Sequence, residues 1–434
     1  MNISILTVFD QLYEPFLATS LVGRAQEKKI VDIEVRSFFS YVQPKERIDA
    51  PTFGPGAGML IKPEIVEKAI NDQQARHGKA FKIFFSPRGQ KVDQQVFEQI
   101  ATKLKDVGHV MLIPARYEGM DARVEDEYAD MILSVGDFVL MGGDIPAMMV
   151  MEGVLRLLPQ VVGKEESVVR DSFTGPYVDF PSYTEPVEWH NVRVPDVLRS
   201  GNHAAIEKWR NDCAVKQTVI EHFSWLRSKK LTDENKVSVR GCMPHHYVAL
   251  MHCDVLVGAD RIPGFTSVTS IDIHDIARSS KTYGAHGFFI VTPLIDQQKI
   301  VQKMLHFWKE GIGFEYNRSR YDAIQLVSLV DSLQQVIDAI ELAEGCKPLI
   351  IATSARPMGS PEIISFFDQN KVWKSGQPVL ILFGTGQGLD PVVIDRCDFV
   401  LLPIEGFSGF NHLSVRSAAA IVLDRWLGIN QQKA

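Results

Sequence analysis

The chain has 434 residues, 45% of them hydrophobic and 23% charged, with a formal net charge of −7. That length exceeds one ordinary core and implies two or three domains, and the composition excludes a disordered or fibrous chain. Residues 237–434 carry 17 Lys and Arg against 19 Asp and Glu, a net −2 that leaves −5 for residues 1–236. Neither half is a basic body, so any nucleic-acid contact must come from a local patch.

The chain opens on an apolar run, 3–9, closed by Asp10 and preceded by no basic segment, which predicts a buried first strand rather than a signal peptide. Strand-like runs at 82–85, 110–113 and 137–141 then alternate with helical stretches at 63–76 and 94–107, the order expected of a mostly parallel sheet. Residues 202–227 read as helical and dissolve into the polar run 228–236, expected to be a hinge. After it the alternation restarts. Strand-like runs at 247–257, 287–292, 348–353, 379–383 and 399–403 are separated by helical runs at 297–309, 321–343 and 413–427, which predicts a second complete α/β domain.

No apolar run approaches a membrane span, so no membrane partner is expected. The five cysteines form no CxxC pair, as expected of reduced thiols in the cytoplasm. His245, His246, His252 and Cys253 have apolar residues filling their spacing, and no metal site is assigned to them. No G-x-G-x-x-G follows a strand with an acid about 20 residues on, which disfavours a dinucleotide-binding dehydrogenase.

Two segments carry the front half's chemistry: Ala115-Arg116-Tyr117-Glu118-Gly119-Met120-Asp121-Ala122-Arg123-Val124, and residues 134–147, Ser-Val-Gly-Asp-Phe-Val-Leu-Met-Gly-Gly-Asp-Ile-Pro-Ala. Each follows or contains an apolar run that breaks into glycine, exposing backbone groups to a flat polar ligand such as an adenine nucleoside. On the residues alone, each is equally a tight turn of a sheet. Together they resemble the signature of the bacterial tRNA (guanine-N1)-methyltransferases. Ser86-Pro87-Arg88-Gly89-Gln90, Arg156, Asp171-Ser172-Phe173, Pro181-Ser182-Tyr183-Thr184 and the segment 200–210 extend that resemblance over residues 1 to about 235.

The resemblance implies S-adenosylmethionine as methyl donor, guanosine 37 of tRNA as target, a deep trefoil knot, and a homodimer with its sites between subunits; it also brings in Mg2+ for the front domain. It places Pro87, Ala115, Tyr117, Glu118, Val135, Gly136, Asp137, Phe138, Val139, Leu140, Gly142, Gly143 and Pro146 around the cofactor. Asp171 matches the family's general base and Arg156 its cationic helper. The chemistry needs both types, because N1 of guanine must lose a proton while charge moves onto O6. Without the resemblance, Asp171 reads first as a helix N-cap, and Arg156 equally as an ion-paired arginine in an apolar helix. The chain departs from the family at Pro114-Ala115, where Cys-Gly is usual, in the glycine run at 53–59, and at Asp144, usually glutamate.

In the second half, residues 272–284, 380–389, and 402–406 continuing through 411–418 resemble, in order, the three motifs of the SpoU-type ribose 2′-O-methyltransferases. By that resemblance Phe383, Gly384, Gly386, Gly388, Leu402, Ile404 and Leu413 enclose a second donor molecule. Arg278 matches the residue acting at the ribose hydroxyl; because arginine keeps its proton, orienting a phosphate or stabilising an alkoxide is its easier role. Gly386 stands where the family has glutamate and Ser414 where it has asparagine. A non-catalytic module for cofactor binding, dimerisation or tRNA docking is the alternative. The expected architecture is α/β: a knotted cofactor-binding domain at 1–165, a tRNA-binding helical segment with hinge at 166–236, and a second knotted methyltransferase domain at 237–434, with mostly parallel sheets.

Overall fold

A computed structural model describes the chain except residues 55–57, 164–167, 169, 357–359 and 431–434, so part of the glycine run at 53–59 lies outside the described residues. By packing, the chain forms two compact units, Met1–Gly175 and Pro176–Ala434. The helices at 203–242 therefore pack with the second unit. Val215, Val219, Phe223, Leu226, Leu231 and Val239 all enter the core that holds Val248, Leu250 and Trp426. The polar run 228–236 is tied down by Leu231 and by a capping box between Thr232 and Asn235 that starts the helix Asp233–Cys242.

The front unit is built on five parallel strands in the order Asp32–Ser37, Asn2–Thr7, His109–Ile113, Phe81–Lys91, Met131–Ser134. The central strands are near-continuous apolar runs because both faces are covered. Ile5, Ile83, Leu112 and Leu133 meet Ile100, Leu104, Val150 and Val154 on one face. Leu6, Phe84, Met111 and Ile113 meet Ile65, Ala69 and Ile70 on the other. The helix Gln94–Val107 starts where the Asp93 carboxylate accepts from Val96 N and stops at left-handed Gly108.

The strand expected at 137–141 does not form. The strand is Met131–Ser134, and the following apolar run is bracketed by Gly136 and Gly142-Gly143 and stands in solvent, with Val139 88% and Met141 91% exposed. Hydrophobicity there is not a core signal.

The second unit holds seven parallel strands in the order Val327–Val330, Gly287–Val291, His246–Met251, Val379–Gly384, Leu349–Thr353, Phe399–Leu401, Glu362–Ile364. The helical run expected at 321–343 is split into the helices Arg318–Ile324 and Leu333–Glu344 by the edge strand Val327–Val330. Asp331-Ser332 makes the break, with the Ser332 hydroxyl capping Gln335 N. Among the described residues no helix is long and apolar enough to cross a membrane.

Candidate active sites

The front site sits on loops at the carboxyl ends of three neighbouring parallel strands, the usual ligand position of an open α/β sheet. One loop follows His109–Ile113 and a second follows Met131–Ser134, while the segment holding Pro87 interrupts the pairing of Phe81–Lys91 between Phe85 and Gln90. The first two clasp each other. Gly143 N donates to Ala115 O at 2.8 Å, and a Cβ on Gly142 would lie 2.5 Å from Arg116 Cδ. Tyr117 takes φ of 58° and Gly136 φ of 154°. Ala115 is not among the positive-φ residues, so its extra methyl carries no backbone strain.

Beneath this clasp lies a buried charge, at a position the sequence marks only as a departure from the family's glutamate. Asp144 is fully buried at the start of the helix Asp144–Arg156 and accepts from Arg116 Nε at 2.5 Å, Thr7 Oγ1 at 2.5 Å and Tyr13 OH at 3.0 Å. Burial beside this carboxylate holds the Tyr13 phenol protonated, pushing its pKa well above the ordinary value. The position of Asp144 at a helix N-terminus was the available signal. Asp144 thus ties the first strand to the first loop, and Arg116 also stacks 5.0 Å from the Phe9 ring.

Arg156, at the far end of that helix, forms a two-pronged pair with Asp171: Nε donates to Oδ2 at 2.5 Å and Nη2 to Oδ1 at 2.7 Å. The carboxylate raises the arginine's pKa further. The side chains keep 43% and 30% of their exposure, so this is an accessible pair, not a buried one. Pro146 is buried in the helix, whereas Asp137, Phe138, Val139 and Leu140 stand exposed and Asp137 pairs with Lys91.

The rear site is a cavity of about 680 Å³ at the carboxyl ends of His246–Met251, Val379–Gly384, Leu349–Thr353 and Phe399–Leu401. Phe383, Gly384, Gly386, Gly388, Leu402, Ile404 and Leu413 all line it. Gly386 and Gly388 have φ of 62° and 106°. That conformation favours glycine and explains the loop's composition. Its volume falls within the ~300–1,000 Å³ range of small-molecule sites, so a nucleoside-sized donor fits.

Arg278 does not line this cavity. In the helix Ser270–Thr282 the periodicity buries Ile273, Ile276 and Ala277 and turns Arg278 outward, while Asp272 lines the cavity instead. The lining arginines are Arg261 and Arg356, neither of which the sequence reading singled out. Asp272 accepts from Arg416 at 3.2 Å. His246, from the cluster considered for zinc, is enclosed by two tryptophans, and among the described residues no three His, Cys, Asp or Glu side chains gather as a metal site.

Residues 1–227 match the family described as tRNA (Guanine-1)-methyltransferase TrmD. The chain belongs to that family. A second match, over residues 245–428, is to a family described as SAM-dependent RNA methyltransferase. A tRNA (guanine-N(1)-)-methyltransferase of Nitratidesulfovibrio vulgaris is 35% identical over 434 residues, covering 99% of both chains. That of Oleidesulfovibrio alaskensis is 36% identical over 435 residues with the same coverage. That of Bacillus subtilis is 37% identical over 238 residues, which is 54% of this chain and 96% of the relative. Relatives of this family thus occur both with and without the rear domain, and the protein is a methyltransferase carrying a second methyltransferase domain. Both families imply S-adenosylmethionine as methyl donor.

Proposed function

We propose that the front domain methylates N1 of guanosine 37 in tRNA, with Asp171 as general base and Arg156 as the cation that steadies O6. The observation that carries this reading is the accessible two-pronged Arg156–Asp171 pair, which puts a proton acceptor and a fixed cation side by side. Bound S-adenosylmethionine supplies an electrophilic methyl carbon. Guanine N1 reaches Asp171 by displacing at least one of the two N–H···O contacts. The freed guanidinium N–H then meets the charge that grows on O6 as the carboxylate takes the N1 proton. The clasped loops around Ala115, Tyr117, Glu118, Gly136 and Gly142 are proposed to hold the donor, and residues 166–236 to contribute tRNA contacts.

The resemblance extends the proposal to a trefoil knot in both domains and a homodimer, and the free cysteines extend it to a cytoplasmic setting. The exposed run Phe138, Val139, Leu140 and Met141, with Ile145 and Met149 beside it, supports a second copy covering this edge.

For the rear domain we propose an RNA ribose 2′-O-methyltransferase. Outward-facing Arg278 would serve there only if a second copy closed the site, and the assembly-module reading is kept for a rear domain that binds donor and modifies no RNA. Asp171→Asn tests the front assignment. Methylation of guanosine 37 should fall by at least about 10²-fold with the fold intact, the usual weight of a general base. A near wild-type rate removes Asp171 from that role.

A further inference from the structure

The second unit buries two histidines in different ways. His246 is satisfied at both nitrogens: Nδ1 donates to Pro244 O at 2.7 Å, and Nε2 accepts from the indoles of Trp373 and Trp426, each at 3.1 Å. His252 is 1% exposed and borders the rear cavity, yet its Nε2 is buried with no hydrogen-bond partner among the described residues.

Its other nitrogen fixes the tautomer. The Thr385 hydroxyl donates to Met251 O at 2.7 Å, which commits its proton. Thr266 Oγ1, 2.5 Å from Thr385 Oγ1, must therefore be the donor of that pair. With the Thr266 proton spent, the 3.0 Å contact between His252 Nδ1 and Thr266 Oγ1 requires N–H at Nδ1. Nε2 is left with a bare lone pair. Burial depresses the ring's pKa to about 4, so near neutral pH it stays an acceptor and does not become a cation. A buried acceptor without a donor is costly unless a ligand or water supplies one.

We infer that His252 Nε2 is a ligand-reading acceptor of the rear cavity, taking a hydrogen bond from an O–H or N–H donor of a bound nucleoside. This rests on the proposal that the cavity holds a nucleoside-bearing ligand. That nucleoside is either the adenosine half of the methyl donor or a nucleotide of RNA, and the recognising chemistry is the same. Thr385, in the glycine loop, and Thr266, hydrogen-bonded to it, lock the ring's tautomer, so the lone pair is fixed at Nε2 beforehand, and because that atom is buried the lining around it must part slightly for the ligand's donor to reach it.

The full-length protein, labelled with 15N only at histidine, tests this directly, with the His252 signals assigned by their loss in His252→Asn. The free protein should show His252 protonated at Nδ1 and bare at Nε2. Titration with S-adenosylmethionine and then tRNA, with donor stoichiometry measured in parallel, separates the two claims. A change of the Nε2 resonance towards a hydrogen-bonded acceptor on donor addition supports the inference with the cofactor as source. A change only on tRNA addition supports it with RNA as source, even if just one donor binds per chain and the rear cofactor reading has failed. Two donors per chain with no Nε2 change in either titration overturn the inference and leave the cofactor reading standing. One donor per chain with no change overturns both. His252→Phe should weaken the responsible ligand about tenfold, as expected for one buried hydrogen bond, and His252→Gln should recover part of the loss; unchanged affinity in both counts against it.

Discussion

The two candidate sites lie at the same place in the same kind of sheet, yet the front one is held by arginine–aspartate pairs, whereas the rear one sets a neutral hydroxyl–imidazole chain among the Arg261, Arg356 and Asp272 side chains of its lining. In the front unit two arginine–aspartate pairs flank one helix: Arg116–Asp144 buried at its start, Arg156–Asp171 accessible at its end. In the rear unit the centre is a neutral chain of His252, Thr266 and Thr385 beside a glycine loop. A base that must take a proton from guanine N1 benefits from charge at hand, whereas a pocket that reads a nucleoside benefits from fixed, uncharged donors and acceptors. Shared topology therefore sets where chemistry happens, and side chains set which chemistry.

The largest effect expected from breaking this contrast is at Asp144. Asp144→Ala leaves the Arg116 cation and the Tyr13 and Thr7 hydroxyls without their shared acceptor, and should cost the front unit about 3–5 kcal/mol, the usual penalty for breaking a buried pair. Thermal unfolding of the full chain would show an early transition. An unchanged profile would mean that the network does not hold the first loop to the first strand.

Next in size is an acid sensitivity of the second unit, carried by two buried histidines that are neutral in the fold. Burial lowers the pKa of His246 to about 3 and that of His252 to about 4 from an ordinary 6.5. The unfolded chain thus binds protons below about pH 6.5 that the folded rings refuse. Their neutral packing contributes full stability above that pH and loses it as pH falls towards 3. All six tryptophans lie beyond Gly175, so tryptophan fluorescence reports this unit alone. Its urea midpoint should be lower at pH 5 than at pH 7; an equal or higher midpoint would contradict the assignment.

The smallest effect sharpens the contrast within the front unit. Because Arg156 and Asp171 remain partly exposed, Arg156→Lys should change stability by less than about 1 kcal/mol while sharply reducing methylation, since lysine cannot make the two-pronged contact. A stability loss matching the activity loss would make the pair structural.

Much of this was readable from the residues. The helix Gln94–Val107 is announced by Asp93 and Gly108, and seven residues of the rear motifs, from Phe383 to Leu413, lie along one cavity. What escaped depended on tertiary context. Residues 137–141 have a strand's hydrophobicity without a core to enter, and Val327–Val330 is too short an apolar run to stand out between two helices. Arg278 was placed by motif, but helical phase turned it outward. Asp144 and His252 carry no local signal of their partners, which lie 28, 131 and 137 residues back for Asp144 and 14 residues on for His252.

The central claim is that one chain carries two separately disabled methyl-transfer sites. Mass analysis of tRNA nucleosides after reaction with full-length wild type, Asp171→Asn and Gly384→Val tests it most directly. A Cβ at Gly384 would fall 2.6 Å from Leu389 N and close the rear loop. Two methylated products are expected from wild type, with Asp171→Asn losing only N1-methylguanosine and Gly384→Val losing only the second product. Loss of every methylated nucleoside in Asp171→Asn, or an unchanged product set in Gly384→Val, would contradict it.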